Sequence, residues 1–399
     1  MQIAMYRMTW ASLVVLALSI FTSVSFSAVS HILLIVPAMY FTVKATQKSF
    51  KVNLPLSAWA LVGLIISIVL SVIFNLDIID NPLRNISKIK YFLIPLLSIF
   101  AFRELFKDYV DQSKIKFLLN LFIIVTSIAT ISGLIGLYTG FNPLKMKPAC
   151  HETRACGLYG MYMTYGYGIS LFMILMTGAV IYRKRLENYI IPWVLYSGWV
   201  IGMMGLVLSY ARGAWLGYIL ALPFFFLKGN VKKFFQVTFA LILISGTIFF
   251  SSSKVRSTFL DRSVSNYERI AFYETAYVAF KEKPIFGWGY RNFEPNMKDI
   301  KKKYDISFPH SGSHAHNNIL EHLASTGILG VIFCISFYLF WLIESFKRDD
   351  NDVIGKIAFP FVVSFIISGM VQYTFGDGEN LFLIMSFWAL SSFKPTASS

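Results

Sequence analysis

The sequence predicts an all-α polytopic membrane protein of about twelve transmembrane helices, with one long extramembrane loop that carries short helices. Three observations predict it. Of 399 residues, 56% are hydrophobic and only 14% charged, with a mean hydropathy of +0.61, outside the range of soluble domains. The apolar residues fall in continuous runs near the roughly 20 residues that a bilayer-crossing helix needs, without the period-two alternation of a membrane barrel. Every second connecting loop is rich in Lys and Arg.

The twelve runs lie near 9–27, 29–46, 55–75, 89–103, 116–138, 158–182, 189–210, 213–228, 233–250, 317–344, 353–372 and 379–393. No small-residue cleavage site stands out in 1–28, so the first run reads as a span and not as a signal peptide. With the N-terminus inside, eighteen basic residues fall in cytoplasmic positions. They include Arg7, Lys44 to Lys51, Arg183–Arg185, Lys228 to Lys233, Lys347 to Lys356 and Lys394. The short outer loops hold seven, among them Arg84, Lys88, Lys145, Arg154 and Arg212. The other eleven of 36 lie in 251–315, and long loops count little in this rule. Both termini are therefore expected in the cytoplasm. Half of the basic residues are ordinary topology signals, so the net charge of +15 does not point to nucleic acid.

No internal repeat or low-complexity tract divides the chain. Residues 1–250 carry the first nine spans, 251–315 the long outer loop and 316–399 the last three spans, as one membrane-embedded domain. The loop is small and polar for a core of its own. Within it, Ser265-Asn-Tyr-Glu268 fits a capping box with Ser265 as N-cap, placing Arg269 near the positive helix end. Ile270, Tyr273, Tyr277 and Phe280 follow at helical spacing and predict an aromatic face pressed onto the membrane surface or the bundle. Pro284 ends that helix, Pro284-Ile-Phe-Gly-Trp-Gly289 reads as a turn, and Lys301–Lys303 as a solvated run. Cys150 and Cys156 share an outer loop, where a bridge and two free thiols are both admissible.

Several residues could carry chemistry. Arg212, in Ser209-Tyr-Ala-Arg-Gly-Ala-Trp-Leu-Gly217, offers a permanently charged planar fork that matches phosphate oxygens. It suits a membrane-anchoring arginine beside Trp215 equally well. Arg269 brings the same chemistry from the long loop, as does Arg84 more weakly, and Arg291 is a further candidate for substrate binding. Four of the six histidines crowd His310-Ser-Gly-Ser-His314-Ala-His316-Asn-Asn-Ile-Leu-Glu321-His322. Imidazole accepts protons near neutral pH, and His316, followed by Asn317, stands where the tenth span begins. No Cys or carboxylate set completes a recognised metal spacing. Glu321 lies inside the span, where an ionisable group is costly unless paired; it could orient an arginine, as could Asp377 or Glu379.

Three segments taken together resemble the O-antigen ligase and polymerase superfamily. They are Leu208-Ser-Tyr-Ala-Arg-Gly-Ala-Trp-Leu216, Arg269 followed by Lys283-Pro-Ile-Phe-Gly-Trp-Gly289, and His316-Asn-Asn-Ile-Leu-Glu-His-Leu-Ala-Ser-Thr-Gly-Ile-Leu-Gly330. The similarity covers roughly 200–345; each motif is loose, and it is their order and spacing, not any single one, that carry the resemblance. The resemblance implies a metal-independent, inverting glycosyltransferase of the membrane-embedded C type, without cofactor, in the bacterial inner membrane with a periplasmic active site. The implied donor is an undecaprenyl-diphosphate-linked polysaccharide and the acceptor a lipid A–core sugar. Arg212, Arg269 and His316 match the positions implicated in the family, with His314, Asn317, Glu321, Arg84 and Arg291 as substrate-binding candidates. One departure is the crowding of histidines, which lets His314 share the role of His316. An O-antigen polymerase, joining two lipid-linked chains, is the near alternative. A flippase is disfavoured, because the charged groups gather at one face and not at the midplane.

Overall fold

The structure is a computed structural model and describes residues 1–48, 54–260, 263–349 and 351–393. A helix lies over each of the twelve apolar runs, and short helices fill the loops. In chain order they are α1 (Gln2–Ser19), α2 (Val24–Lys48), α3 (Leu56–Ile73), α4 (Pro82–Ile86), α5 (Lys90–Asp108), α6 (Gln112–Thr139) and α7 (Tyr162–Ile181). There follow α8 (Arg183–Leu186), α9 (Pro192–Leu208), α10 (Arg212–Ala221), α11 (Val231–Ser251), α12 (Ser253–Leu260), α13 (Ser263–Glu282) and α14 (Phe293–Lys303). The last are α15 (Asn318–Phe346), α16 (Val353–Gly369) and α17 (Gly378–Ser391). Two two-residue strands, Phe141–Asn142 and Lys147–Pro148, pair antiparallel next to the disulfide that joins Cys150 to Cys156.

Six described helices are long and apolar enough to cross a membrane: Val24–Gln47, Leu56–Ile73, Gln112–Thr139, Tyr162–Ile181, Val231–Ser251 and Asn318–Phe346. Pro192–Leu208 and Val353–Gly369 are apolar but shorter. The local chemistry of the ends is plain. Asp111, Asn230 and Asp352 accept the amide of the residue three positions on, capping α6, α11 and α16. Pro82 and Pro192 open α4 and α9, where a missing N–H costs nothing. α3 packs along α15, α6 along α9, and α16 along both α7 and α10. Small residues allow the approach: Gly63 faces the Phe333 ring and Gly205 the Tyr165 hydroxyl. Trp341, Trp388, Phe337 and Phe361 fill the centre.

Several sequence expectations are corrected. The first helix ends at Ser19 and a turn precedes Val24, so the run 9–27 is split between α1 and α2. Hydropathy does not register that break, because Ile20 and Phe21 are themselves buried in it. α13 starts at Ser263, which puts Ser265 inside the helix and not at its N-cap, and Arg269 in its second turn. The face that α13 buries is Phe272, Ala276 and Ala279, while Ile270 and Tyr277 are exposed. The alanines let α14 and α15 approach closely, and Phe272, Phe293, Met297, Ile300, Ala315 and Ala324 close a second small core. Lys301 is not solvated. It is fully buried, its Nζ donating to the carbonyls of Phe308 and Ser311 and to Ser311 Oγ, above the Phe272 ring. Burial draws its pKa down to about 8. Lys51 and Lys394, both counted in the charge asymmetry, lie outside the described residues.

Candidate functional site

The site forms where the N-terminal ends of α10 and α15 meet α13 and the segment after α16. Asn317 caps α15: its Oδ1 accepts the amides of Ile319 and Leu320, and its Nδ2 donates to the Met370 carbonyl. That holds the chain entering α15 against residues 370–372. Glu321 reaches back, its Oε2 accepting the Ala315 amide at 2.8 Å. Its carboxyl group thus bonds the backbone at the His314–Ala315 peptide, while it also lies within electrostatic reach of Arg291.

Gln372 joins the two histidines. Its side-chain Oε1 stands 2.7 Å from His316 Nδ1, and its Nε2 stands 3.1 Å from His314 Nε2. With the amide in this orientation, His316 carries its proton on Nδ1 and donates to Gln372, leaving Nε2 as the basic nitrogen. His314 accepts from the amide at Nε2, and its Nδ1 lies 3.3 Å from Ser313 Oγ. The imidazole centroids are 4.3 Å apart, and His316 stacks on Phe272 of α13 at 5.5 Å. Burial lowers the pKa of His314 to about 3, helped by the neighbouring His316. His316 is lowered by burial; Gln372 opposes the shift and the Arg269 charge adds to it. Both rings are therefore neutral at pH 7.

α13 ties the arginines to these rings. Asn266, one turn before Arg269, accepts from Arg212 Nη2 at 3.4 Å, and Phe272, one turn after it, meets His316. Arg212 opens α10 and feels the like charges of Arg269 and Arg154. Cationic side chains so gathered favour an anion between them. Arg291 donates to the Gly376 carbonyl at 3.4 Å and lies within electrostatic reach of His314, Glu321 and Lys88. Arg84, on α4, is exposed and groups with Lys88 and Lys90 rather than with Arg212. Asp377 stands at the N-cap position of α17, its Oδ2 accepting from Asn380 Nδ2 and not from a helix amide; burial, then Glu379, raises its pKa to about 7.

His322 lies deeper, fully buried beside Tyr290, Tyr373 and Phe375, whereas His310 is exposed. Three residues with positive φ, Tyr210, Arg291 and His316, sit in or beside the site. Such backbone costs on the order of 1–3 kcal/mol at a non-glycine residue and collects where function demands a fixed direction. Among the described residues, no group of three His, Cys, Asp or Glu stands together as a ligand set. The sequence did not single out Gln372; its one signal is an amide at the end of an otherwise apolar run.

The turn Pro284–Gly289 is bonded to α15 on both sides of a break in that helix. Trp288 N donates to the Ala324 carbonyl and Ile328 N to the Pro284 carbonyl. At Gly327 (φ 67°, ψ −163°) α15 breaks into two helical pieces. A Cβ there would lie 2.3 Å from the Ile285 carbonyl oxygen, and one at Gly287 2.5 Å from the backbone of Ser325. Only glycine allows both the backbone angle and the approach. Lys283 and Asn75 complete the lock: Lys283 Nζ donates to Asn75 Oδ1, and Asn75 Nδ2 to the Gly287 carbonyl.

Fold and site together define a multi-pass helical membrane protein with a cationic, histidine-bearing site at one end of its bundle. Residues 197–335 match the sequence model of the O-antigen ligase family. That stretch contains Arg212, Arg269, the Pro284–Gly289 turn and His316. An uncharacterised protein of Haemophilus influenzae is 26% identical over 285 residues, 66% of this chain and 65% of that protein. A Rickettsia typhi protein, named provisionally as a polysaccharide ligase, is 22% identical over 253 residues, 59% of each chain. The chain thus spans somewhat less than two thirds of the length of these relatives.

Proposed function

We propose that the protein is an O-antigen ligase. It transfers polysaccharide from an undecaprenyl-diphosphate donor to a hydroxyl of a lipid A–core sugar, at the periplasmic face of the bacterial inner membrane. The observation that carries this reading is the Gln372 bridge, which leaves His316 Nε2 as a basic nitrogen on the face of α13 that also bears Arg269. In the reaction the acceptor oxygen attacks the anomeric carbon and its proton passes to His316 Nε2. The bond from that carbon to the diphosphate oxygen breaks, and the departing diphosphate takes the electron pair. Arg212 and Arg269 meet the charge that develops on it. Direct displacement inverts the anomeric carbon. Fixed guanidiniums supply the positive charge, so the proposed mechanism calls for no metal.

The lowered pKa of His316 keeps the base unprotonated at neutral pH. His314, on the other side of Gln372, serves to hold the amide in its orientation. The test measures transfer and donor binding in parallel for His310→Ala, His314→Ala, His316→Ala and His322→Ala. His316→Ala is expected to lose about 10²–10⁴-fold in turnover while donor binding survives. Normal transfer by His316→Ala, or loss confined to His314→Ala, refutes the assignment. Surface polysaccharide of a deletion strain separates ligase from polymerase. Bare core with accumulated long lipid-linked polymer marks a ligase, and core capped by one repeat unit marks a polymerase.

A further inference from the structure

At the opposite end of the bundle from the histidines, a cavity of about 240 Å³ opens between α11, α15 and α16. Three helices fix its position. α7 passes Tyr167, which feels Arg212 and Arg269, and ends one residue before the cavity-lining Tyr182. α15 starts next to the histidines and ends at the cavity-lining Phe346, and α16 carries the cavity-lining Lys356 in its first turn and ends three residues before Gln372. At 1.5 Å per residue, Tyr167 and Tyr182 lie about 22 Å apart along the axis.

The lining combines cations with rings. Lys233 stands 4.3 Å from the Phe226 ring centre, Lys356 stands 5.7 Å from that of Tyr182, and Lys228 donates to the Arg348 carbonyl. Arg348 itself is engaged by Asp352 and by the Ser391 and Phe393 carbonyls. No Asp or Glu lines the cavity among the described residues, so its field is positive. From its rim rises α11, twenty-one residues long, with no buried residue and with Phe235, Phe239, Ile242 and Leu243 exposed. A cationic mouth of this kind, continuous with an apolar helix flank, matches a phosphate headgroup that carries acyl chains. It does not match a free, fully hydrated phosphate, which has no use for the flank.

We propose that this cavity binds the headgroup of an anionic phospholipid of the facing leaflet, with Lys233 and Lys356 on the phosphate and the acyl chains along α11. The site is separate from the transfer chemistry and stands or falls independently of it. The test titrates the purified full chain, in detergent, with phosphatidylglycerol, phosphatidylcholine or inorganic phosphate, counting bound lipid by native mass spectrometry. Wild type is expected to retain phosphatidylglycerol in preference to phosphatidylcholine. Each lysine near an anionic group is worth roughly five-fold, so Lys233→Gln with Lys356→Gln should weaken that binding about 30-fold, and Lys→Arg at both should preserve it. Gly229→Phe is a second probe. Gly229 lines the cavity and a Cβ there meets no atom within 4 Å, so a ring can be set at the mouth without altering charge or straining the fold, and it too should expel the lipid. Should the double variant fail to fold, Gly229→Phe decides alone. Undiminished phosphatidylglycerol binding in either folded variant overturns the proposal, as does binding of inorganic phosphate with no preference for the lipid.

Discussion

Replacing Gln372 by Leu keeps the size of a 3% exposed side chain and removes only its amide. Two hydrogen bonds vanish, at 2.7 Å to His316 and at 3.1 Å to His314. In the variant, the His316 Nδ1 proton has no amide acceptor and the ring is free to exchange tautomers. Leaving a buried donor unsatisfied costs about 1–3 kcal/mol, and holding the proton on Nδ1 is worth a similar amount. A loss of about 2 kcal/mol in the competent tautomer lowers turnover about 30-fold, well short of the 10²–10⁴-fold expected on removing the imidazole itself. A second readout separates this from general damage. Gln372 raises the pKa of His316, against the burial that lowers it, so its removal should carry the acid limb of the pH–rate profile to lower pH. The assay is transfer by purified protein from a lipid-linked donor to core acceptor across pH, with thermal unfolding recorded alongside. Wild-type turnover with an unmoved acid limb refutes the tautomer argument. Lost turnover with an unmoved limb and a lowered Tm assigns Gln372 to packing.

Further outcomes follow from the same structure. Arg212→Ala and Arg269→Ala should each abolish or severely reduce transfer while the protein still inserts, and Lys at either position should rescue only in part, because the planar fork is lost; near-normal surface polysaccharide in both Ala variants counts against the clamp. Transfer should survive EDTA, and an activity lost to the chelator and restored by one divalent ion would place a metal at the histidines. Gly327→Ala, with its Cβ 2.3 Å from the Ile285 oxygen, should lower thermal stability and transfer together, as both follow the α15 break. The buried His314 also makes stability pH-dependent. Its folded pKa of about 3 lies below the unfolded 6.5, so its contribution is whole above pH 6.5 and is lost as pH falls toward 3, which denaturation midpoints between pH 7 and 4 would register.

The helices were legible because continuous apolar runs and capping residues are local signals. Asp111, Asn230 and Asp352 announce their helices within three residues. What stayed hidden depends on partners distant in the chain. Lys301 reads as one of three solvated lysines until residues 308–311 fold over it. The aromatic repeat of α13 suggested the buried face, yet Ala276 and Ala279 occupy it, because close helix approach rewards small side chains over large ones. Arg212, Arg269 and His316 stood out through the order of their motifs. Gln372 did not, since its role exists only once residues 56 and 58 positions earlier are brought against it.

The break at Gly327 has a mechanical side. Beyond it, residues 328–346 form a helical piece about 28 Å long, close to the roughly 30 Å hydrocarbon core of a bilayer. The Pro284–Gly289 turn is bonded on both sides of the break, to the Ala324 carbonyl in the piece 318–326 and to the Ile328 amide in the spanning piece. Because the same turn holds both pieces, backbone contacts fix the angle between them and leave no free hinge at Gly327. A change in the tilt of the spanning piece, such as a thinner or thicker bilayer imposes, would therefore be passed on to the segment that carries His316, and comparing transfer in bilayers of different thickness reads out that rigid link.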